Sequence, residues 1–151
     1  MAGTVPLVLV LVGLPASGKS TWARENGIPA LSSDALREWL ADDATDQTIH
    51  GEVFRHLRAL LRTRIRIGRA CTAVDATNLT PKERKPYLEI GRKLGARVEA
   101  VVFDTPLEEC LKRNRARARV VPEEAMRMMA AKLKEPSTGE GFARIRIVTA
   151  P

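Results

Sequence analysis

The stretch "GLPASGKST", residues 13–21, stands directly behind the apolar run "PLVLVLV", residues 6–12. Gly13, Gly18, Lys19 and Ser20 fall at the spacing G-x-x-x-x-G-K-[ST], in which the glycines let successive backbone N–H groups turn toward phosphate oxygens. Leu14, Pro15, Ala16 and Ser17 fill the loop and Thr21 follows it, so Gly13 to Thr21 is the expected ATP-binding segment. Lys19 is placed to reach the outer phosphates and the Ser20 hydroxyl to take a position on Mg²⁺. The helix predicted from "KSTWAREN" adds the positive end of its dipole. A strand, a glycine-rich loop and a helix in that order form the context that separates a phosphate loop from an ordinary turn.

Outward from the loop, strand and helix signals alternate, the pattern of a parallel sheet covered on both faces. Strands are expected at Pro6 to Val12, in "IPALSS", in "CTAVDAT", in "RVEAVVFD" and in "ARIRIV". The fold class is therefore α/β, a P-loop NTPase-type parallel sheet of about five strands flanked by helices, with an arginine-rich helical lid. "TPKE" from Thr80 and "TPLE" from Thr105 both read as capping boxes with Pro at the first helical position. Gly68 and Gly95 sit where helices should stop, and Pro86 predicts a kink inside the helix that begins at Pro81. From Asp46 to Ile67, the residues Ile49, Val53, Leu57, Leu60, Leu61 and Ile65 recur at helical spacing and predict a core-facing stripe. Arg55, Arg58, Arg62, Arg64, Arg66 and Arg69 surround it, as a solvated face or as an electrostatic approach for a strand of nucleic acid.

Length and composition set the outer bounds. The 151 residues suit a single domain over 1–151, which buries about two-thirds of its unfolded surface. The short apolar N-terminal run, with no basic residue before it, does not read as a signal peptide. No stretch approaches the roughly 18 apolar residues of a spanning helix, so no membrane partner is expected. Cys71 and Cys110 lie outside any metal or redox spacing and read as small core residues, which suits a reducing cytoplasm. His50 and His56 fall on different helix faces, and neither reads as a metal ligand. The net charge of +7, from 25 basic against 18 acidic residues, favours a polyanionic partner.

The chemistry has to be chosen among users of a bound nucleotide. A switch-type GTPase needs N-K-x-D and a strand-end D-x-x-G, whereas the third strand here ends "VDATN". A phosphotransferase needs a group that activates the acceptor. Asp34 in "LSSDALREWL" is that candidate, because ligands gather at the carboxyl ends of parallel strands and a carboxylate there accepts the proton of an incoming hydroxyl. Arg37, one helical turn on, can hold an anionic part of the acceptor. The bland alternative makes Asp34 a helix cap. In "KRNRARARVVP" Arg113 shares a helix face with Arg117, and Arg115 with Arg119. A lid of arginines that stabilises a transferring phosphoryl group is one reading of this run, and a solvated surface is the other.

"GLPASGKSTWARE", "SSDALR", "VDATNLTPKERKPYLEIGRKLGARVEAVVFDTPLEECLKRN" and "GFARIRIV" together resemble the 5′-hydroxyl polynucleotide kinases of phage and bacterial end healing and of animal DNA repair. The resemblance runs over nearly the whole chain. It implies ATP as donor with Mg²⁺, Lys19 and Ser20 on the nucleotide and metal, and Asp34 as general base on a DNA or RNA 5′-hydroxyl. It also implies Arg37 on the acceptor phosphate, and Arg117 on the ATP phosphates with Arg113 or Arg119 sharing that task. Asp75 and Asn78 match the strand-end positions, Asp75 toward the metal through water and Asn78 toward the acceptor. "RARARVV" is one residue short of the phage lid. Phosphatase or ligase partners, separate or fused, are implied as well. A small-molecule kinase of the same fold and a non-catalytic nucleotide-binding subunit stay open as alternatives.

Overall fold

The computed structural model describes residues 4–149. Five parallel strands lie in the order β2-β3-β1-β4-β5, with β1 at Leu7–Val12, β2 at Ala30–Ser32, β3 at Cys71–Asp75, β4 at Arg97–Phe103 and β5 at Arg144–Val148. The helices are α1 (Lys19–Glu25), α2 (Ser33–Ala41), α3 (His50–Arg66), α4 (Pro81–Leu94), α5 (Leu107–Arg115) and α6 (Glu123–Lys132), followed by a 3₁₀ turn at Thr138–Glu140.

The apolar run of β1 is continuous because the strand is central and covered on both faces. Val8, Val10 and Val12 pack on one side against Leu57, Leu61 and Ile65 of α3 and Tyr87 and Ile90 of α4. Leu9 and Leu11 turn to the other side, with Val101, Phe103 and Trp22 of α1. Full burial of each such Val or Leu contributes about 1.5–3 kcal/mol relative to exposure. A charge at Leu11 would therefore break the sheet at its centre. A third cluster, Leu14, Leu79, Cys110, Leu111 and Met126, seats α5 and α6 beside the phosphate loop.

Local signals placed several boundaries. Thr80 and Glu83 form the expected reciprocal capping box, with Glu83 N–H donating to Thr80 Oγ1 at 3.3 Å and Thr80 N–H to Glu83 Oε2 at 2.9 Å. Gly95 closes α4 at φ 71°, where a side chain would be strained. α4 runs through Pro86 as one helix.

Four expectations need correction. Thr105 is not a cap: its hydroxyl donates to the carbonyl of Ser17 at 3.0 Å, and α5 starts after Pro106 with no side-chain cap. α3 starts at His50, because Asp46 bonds Thr48 in a local turn, its Oδ1 accepting from the Thr48 backbone N–H at 2.8 Å. Leu60 departs from the core stripe and is exposed. α5 ends at Arg115, so Arg117 and Arg119 lie in a turn and not on a helix face shared with Arg113 and Arg115. Cys110 is buried as expected, while Cys71 at the start of β3 is half-buried.

Candidate active site

The loop between β1 and α1 is held from three directions. Gly13 N–H donates to the Thr77 carbonyl at 3.0 Å, Ser17 N–H to that of Leu14 at 3.2 Å, and Thr105 reaches in from the connection between β4 and α5. Gly18 has φ 100° and Ala16 φ 64°, so the chain curls through left-handed conformations that turn amides inward. A Cβ on Gly13 would sit 2.7 Å from Ser17 Oγ and 3.1 Å from Phe103 Cβ, so a side chain here would force Ser17 and Phe103 to shift. Ser17 Oγ is buried without a hydrogen-bond partner among the described residues.

Lys19 is buried, and its Nζ donates to the carbonyls of Gly13 at 2.9 Å and Leu14 at 2.8 Å. Desolvation pulls its pKa down to about 8, opposed by the carboxylates of Asp75 and then Asp34, with Arg117 adding to the decrease. Those influences identify its neighbours: the loop lysine, both candidate carboxylates and a lid arginine share one electrostatic environment. Ser20 Oγ donates to Asp75 Oδ2 at 2.6 Å. One hydroxyl and one carboxylate are the hard oxygen donors Mg²⁺ takes from protein when phosphates and water supply the rest, so the residues fit that ion.

Asp34 is the second residue of α2. The cap of that helix is Ser32, whose Oγ accepts from Ala35 N–H at 3.1 Å, so the carboxylate of Asp34 is not spent on capping. Its Oδ1 lies 3.4 Å from Arg37 Nη1 and its Oδ2 2.8 Å from Arg119 Nη1. Arg37 is only 4% exposed, with Nη2 3.4 Å from His50 Nδ1 at the start of α3. The Nε of Arg37, the Nε of Arg119 and one terminal nitrogen of Arg117 are buried and without hydrogen-bond partners among the described residues. Buried cationic donors left over in this way are what an anionic ligand would satisfy.

The lid is a loop clasped at its root. Asn114 Nδ2 donates to the Val121 carbonyl at 2.7 Å and its Oδ1 accepts from Val121 N–H at 2.9 Å, so one amide closes the turn that carries Arg117 and Arg119. Arg113 pairs with Glu109 at 3.2 Å and lies against Gly18 of the loop. Arg115 points outward to Glu123 at 3.6 Å.

Asn78 is the expected site residue that the structure assigns elsewhere. It is buried at φ 48°, and its Nδ2 donates to the Leu11 carbonyl at 2.7 Å and lies 3.3 Å from that of Ala76. Its amide ties the end of β3 to β1, which leaves it no free donor for an acceptor. Behind it sits an unforeseen anchor. Arg84 of α4, wholly buried, pairs with Glu140 through Nε at 3.0 Å and Nη2 at 3.1 Å, and donates from Nη1 to the carbonyls of Asn78 and Lys134, both at 2.9 Å. Sequence reasoning also missed Asn114 and Thr105 as supports of the site; for Asn114 its place inside the arginine run was the only signal.

Comparison with known proteins agrees with this architecture. The model of the AAA domain family matches residues 8–136, and the chain belongs to that family. It is 26% identical over 145 residues to the L-seryl-tRNA(Sec) kinase of Methanococcus maripaludis, an alignment covering 87% of this chain and 54% of that protein. A chain of the Pnkp1/Rnl/Hen1 RNA repair complex superposes with a TM-score of 0.74 at 24% identity, over 87% of this chain and 45% of that one. The Mycobacterium tuberculosis APS kinase CysC, solved with AMPPNP and APS, superposes at 0.60 and 20% identity, over 97% of this chain and 90% of that one. The chain thus spans about half the length of the curated relative and of the repair-complex chain. Among the described residues no helix is long and apolar enough to cross a membrane.

Proposed function

Starting from membership of the AAA domain family, we propose that this chain is an ATP-dependent kinase, a single domain over 1–151, whose acceptor is the 5′-hydroxyl of DNA or RNA. The observation that carries the reading is the placement of Asp34, a carboxylate not used as a cap, between Arg37 and Arg119 and within the electrostatic reach of Lys19. A base beside the phosphate loop with two arginines around it suits an acceptor that brings an anion next to its hydroxyl. A nucleic acid strand does so, since the phosphate on the 3′ side follows the 5′-terminal sugar. The M. maripaludis relative is named as a kinase of L-seryl-tRNA(Sec), which also supports a nucleic-acid-borne acceptor.

In this reading the loop amides from Gly13 to Thr21 and Lys19 hold the ATP phosphates. Ser20 and Asp75 would hold Mg²⁺, which would supply positive charge to the outer phosphates. Asp34 takes the hydroxyl proton as the oxygen attacks the γ-phosphorus and ADP leaves. Arg37 holds the acceptor phosphate, and Arg117 and Arg113 offset charge on the group in transfer. A kinase of this kind would work in the cytoplasm beside end-trimming phosphatases and ligases. A small anionic alcohol would meet the same pair of arginines, and it is the competing acceptor class.

The experiment is direct. γ-labelled ATP is incubated with a 5′-hydroxyl oligonucleotide and, separately, with small sugar acids, nucleosides and other alcohols. Label on the oligonucleotide end supports the reading. Label on a small alcohol alone, or ATP binding with no transfer at all, overturns it.

A further inference from the structure

Arg119 sits on the carboxylate that the proposed reaction needs. Its Nη1 lies 2.8 Å from Asp34 Oδ2, shorter than the 3.4 Å between Arg37 and Oδ1. The Asp34 side chain is half exposed, and a hydroxyl that is to give its proton to Oδ2 competes with this guanidinium for that oxygen. Arg119 keeps 26% and Asp34 51% of side-chain exposure, so the pair is weakly held and an anion that receives Arg119 can draw it away. Water and neutral alcohols bring no such anion. An acceptor with a phosphate beside its hydroxyl brings both groups, one for Asp34 and one for Arg119.

The surroundings provide for that exchange. The Nε atoms of Arg119 and Arg37 are both buried without hydrogen-bond partners among the described residues, so each guanidinium keeps an N–H to give. Arg119 belongs to a turn beyond the end of α5, and the Asn114–Val121 clasp fixes the root of that turn. It can therefore change partner without unwinding a helix. Asp43, in the loop after α2, also lies within its electrostatic range but is fully exposed. Asp34 is thus the partner that matters.

We infer that Arg119 is a specificity residue: it holds Asp34 Oδ2 until the phosphate of an acceptor draws it away, and so favours phosphate-bearing acceptors over water and neutral alcohols. The inference rests on the kinase reading above. In the productive case the hydroxyl proton passes to Asp34, the oxygen bonds the γ-phosphorus, the bridging bond to the β-phosphate breaks and ADP departs. In the wasteful case water takes the same path and yields ADP and inorganic phosphate.

The test compares wild type with Arg119→Ala, Arg119→Gln and Arg119→Lys. Two quantities are measured: ATP hydrolysis without acceptor, and kcat/KM for a nucleoside 3′-phosphate relative to the bare nucleoside. With Ala or Gln, hydrolysis should rise several-fold and the preference for the phosphorylated acceptor should fall roughly tenfold, the scale of one charge-assisted hydrogen bond. Lys should fall between, having the charge without the fork. ATP affinity, measured separately, should be unchanged, which excludes a folding defect. If hydrolysis stays flat or drops, or both acceptors suffer equally, Arg119 is a donor-side residue and the inference is wrong. If wild type labels no 5′-hydroxyl of either kind, the kinase reading falls first and takes this one with it.

Discussion

At the scale of single residues the site is a set of charges whose partners are set by burial. Asp34 is half exposed, faces two guanidinium groups and is not a cap, so its removal should act on chemistry more than on folding. Asp34→Asn is expected to cut single-turnover phosphoryl transfer by about 10²-fold or more, with ATP affinity little changed. Near-normal transfer by that variant would take Asp34 out of the mechanism. Lys19 carries a pH signature. With its pKa drawn down to about 8 by burial, free protein begins to lose the charge near that pH, whereas bound phosphates would keep it protonated. ATP affinity should therefore fall as pH rises above about 8, and binding there should take up protons, which calorimetry in buffers of different ionisation enthalpy would detect. The stability effect has the opposite sign. The unfolded lysine titrates near 10.4, so between the two values the unfolded chain holds more protons and this residue's cost to folding is relieved as pH rises.

Elements decide which arginine does what. Arg117 and Arg119 project inward because α5 stops at Arg115 and the Asn114 clasp folds the following turn back toward the loop, while Arg115 is left outside. Arg117→Lys should fail nearly as badly as Arg117→Ala, since an ammonium does not reproduce the planar fork, and Arg115→Ala should be mild. Equal kcat/KM for all these proteins would make the run a solvated surface. On the other flank, Arg84 joins α4 to the loop after β3 and to the segment before β5. Arg84→Ala strands Glu140 and two carbonyls, at an expected cost of about 3–5 kcal/mol measured by urea denaturation. A loss below about 1 kcal/mol would mean that water replaces the guanidinium without penalty.

For the whole molecule the electrostatic imbalance is the feature to explain. Along α3, Arg58, Arg62 and Arg66 repeat every four residues, a like-charge stacking that costs a helix about 0.2–0.5 kcal/mol per pair. Arg64 is spent on Thr72 and the Cys71 carbonyl, and Arg55 pairs with Glu52 at 2.6 Å, yet these three form no ion pair among the described residues. If they receive the phosphates of a single strand, the slope of log affinity against log salt should be about 0.7 per contact and should shrink by that amount with each Arg→Gln change. A slope that ignores these changes would return the stripe to plain solvation.

The sequence by itself determined whatever depends on neighbours along the chain. The turn through Gly13 and Gly18, the capping box of Thr80 with Glu83 and the alternation of apolar strands with amphipathic helices are local conformational preferences, legible without a fold. From these came the sheet, the loop and the positions of Lys19, Ser20, Asp34 and Asp75 at its carboxyl edge. The partner of a polar side chain is not local information, because a buried donor is satisfied by whatever group the packing brings to it. Thr105 looked like a cap in its own segment, but the fold offered it the Ser17 carbonyl, 88 positions away in sequence. Asn78 looked like a ligand contact, but it bonds a β1 carbonyl 67 positions away. Arg119 looked interchangeable with its neighbours until the turn after α5 laid it on Asp34. Backbone turns and periodicities were set by covalent neighbours, whereas the pairing of charges was set by desolvation, which exists only once the elements have packed.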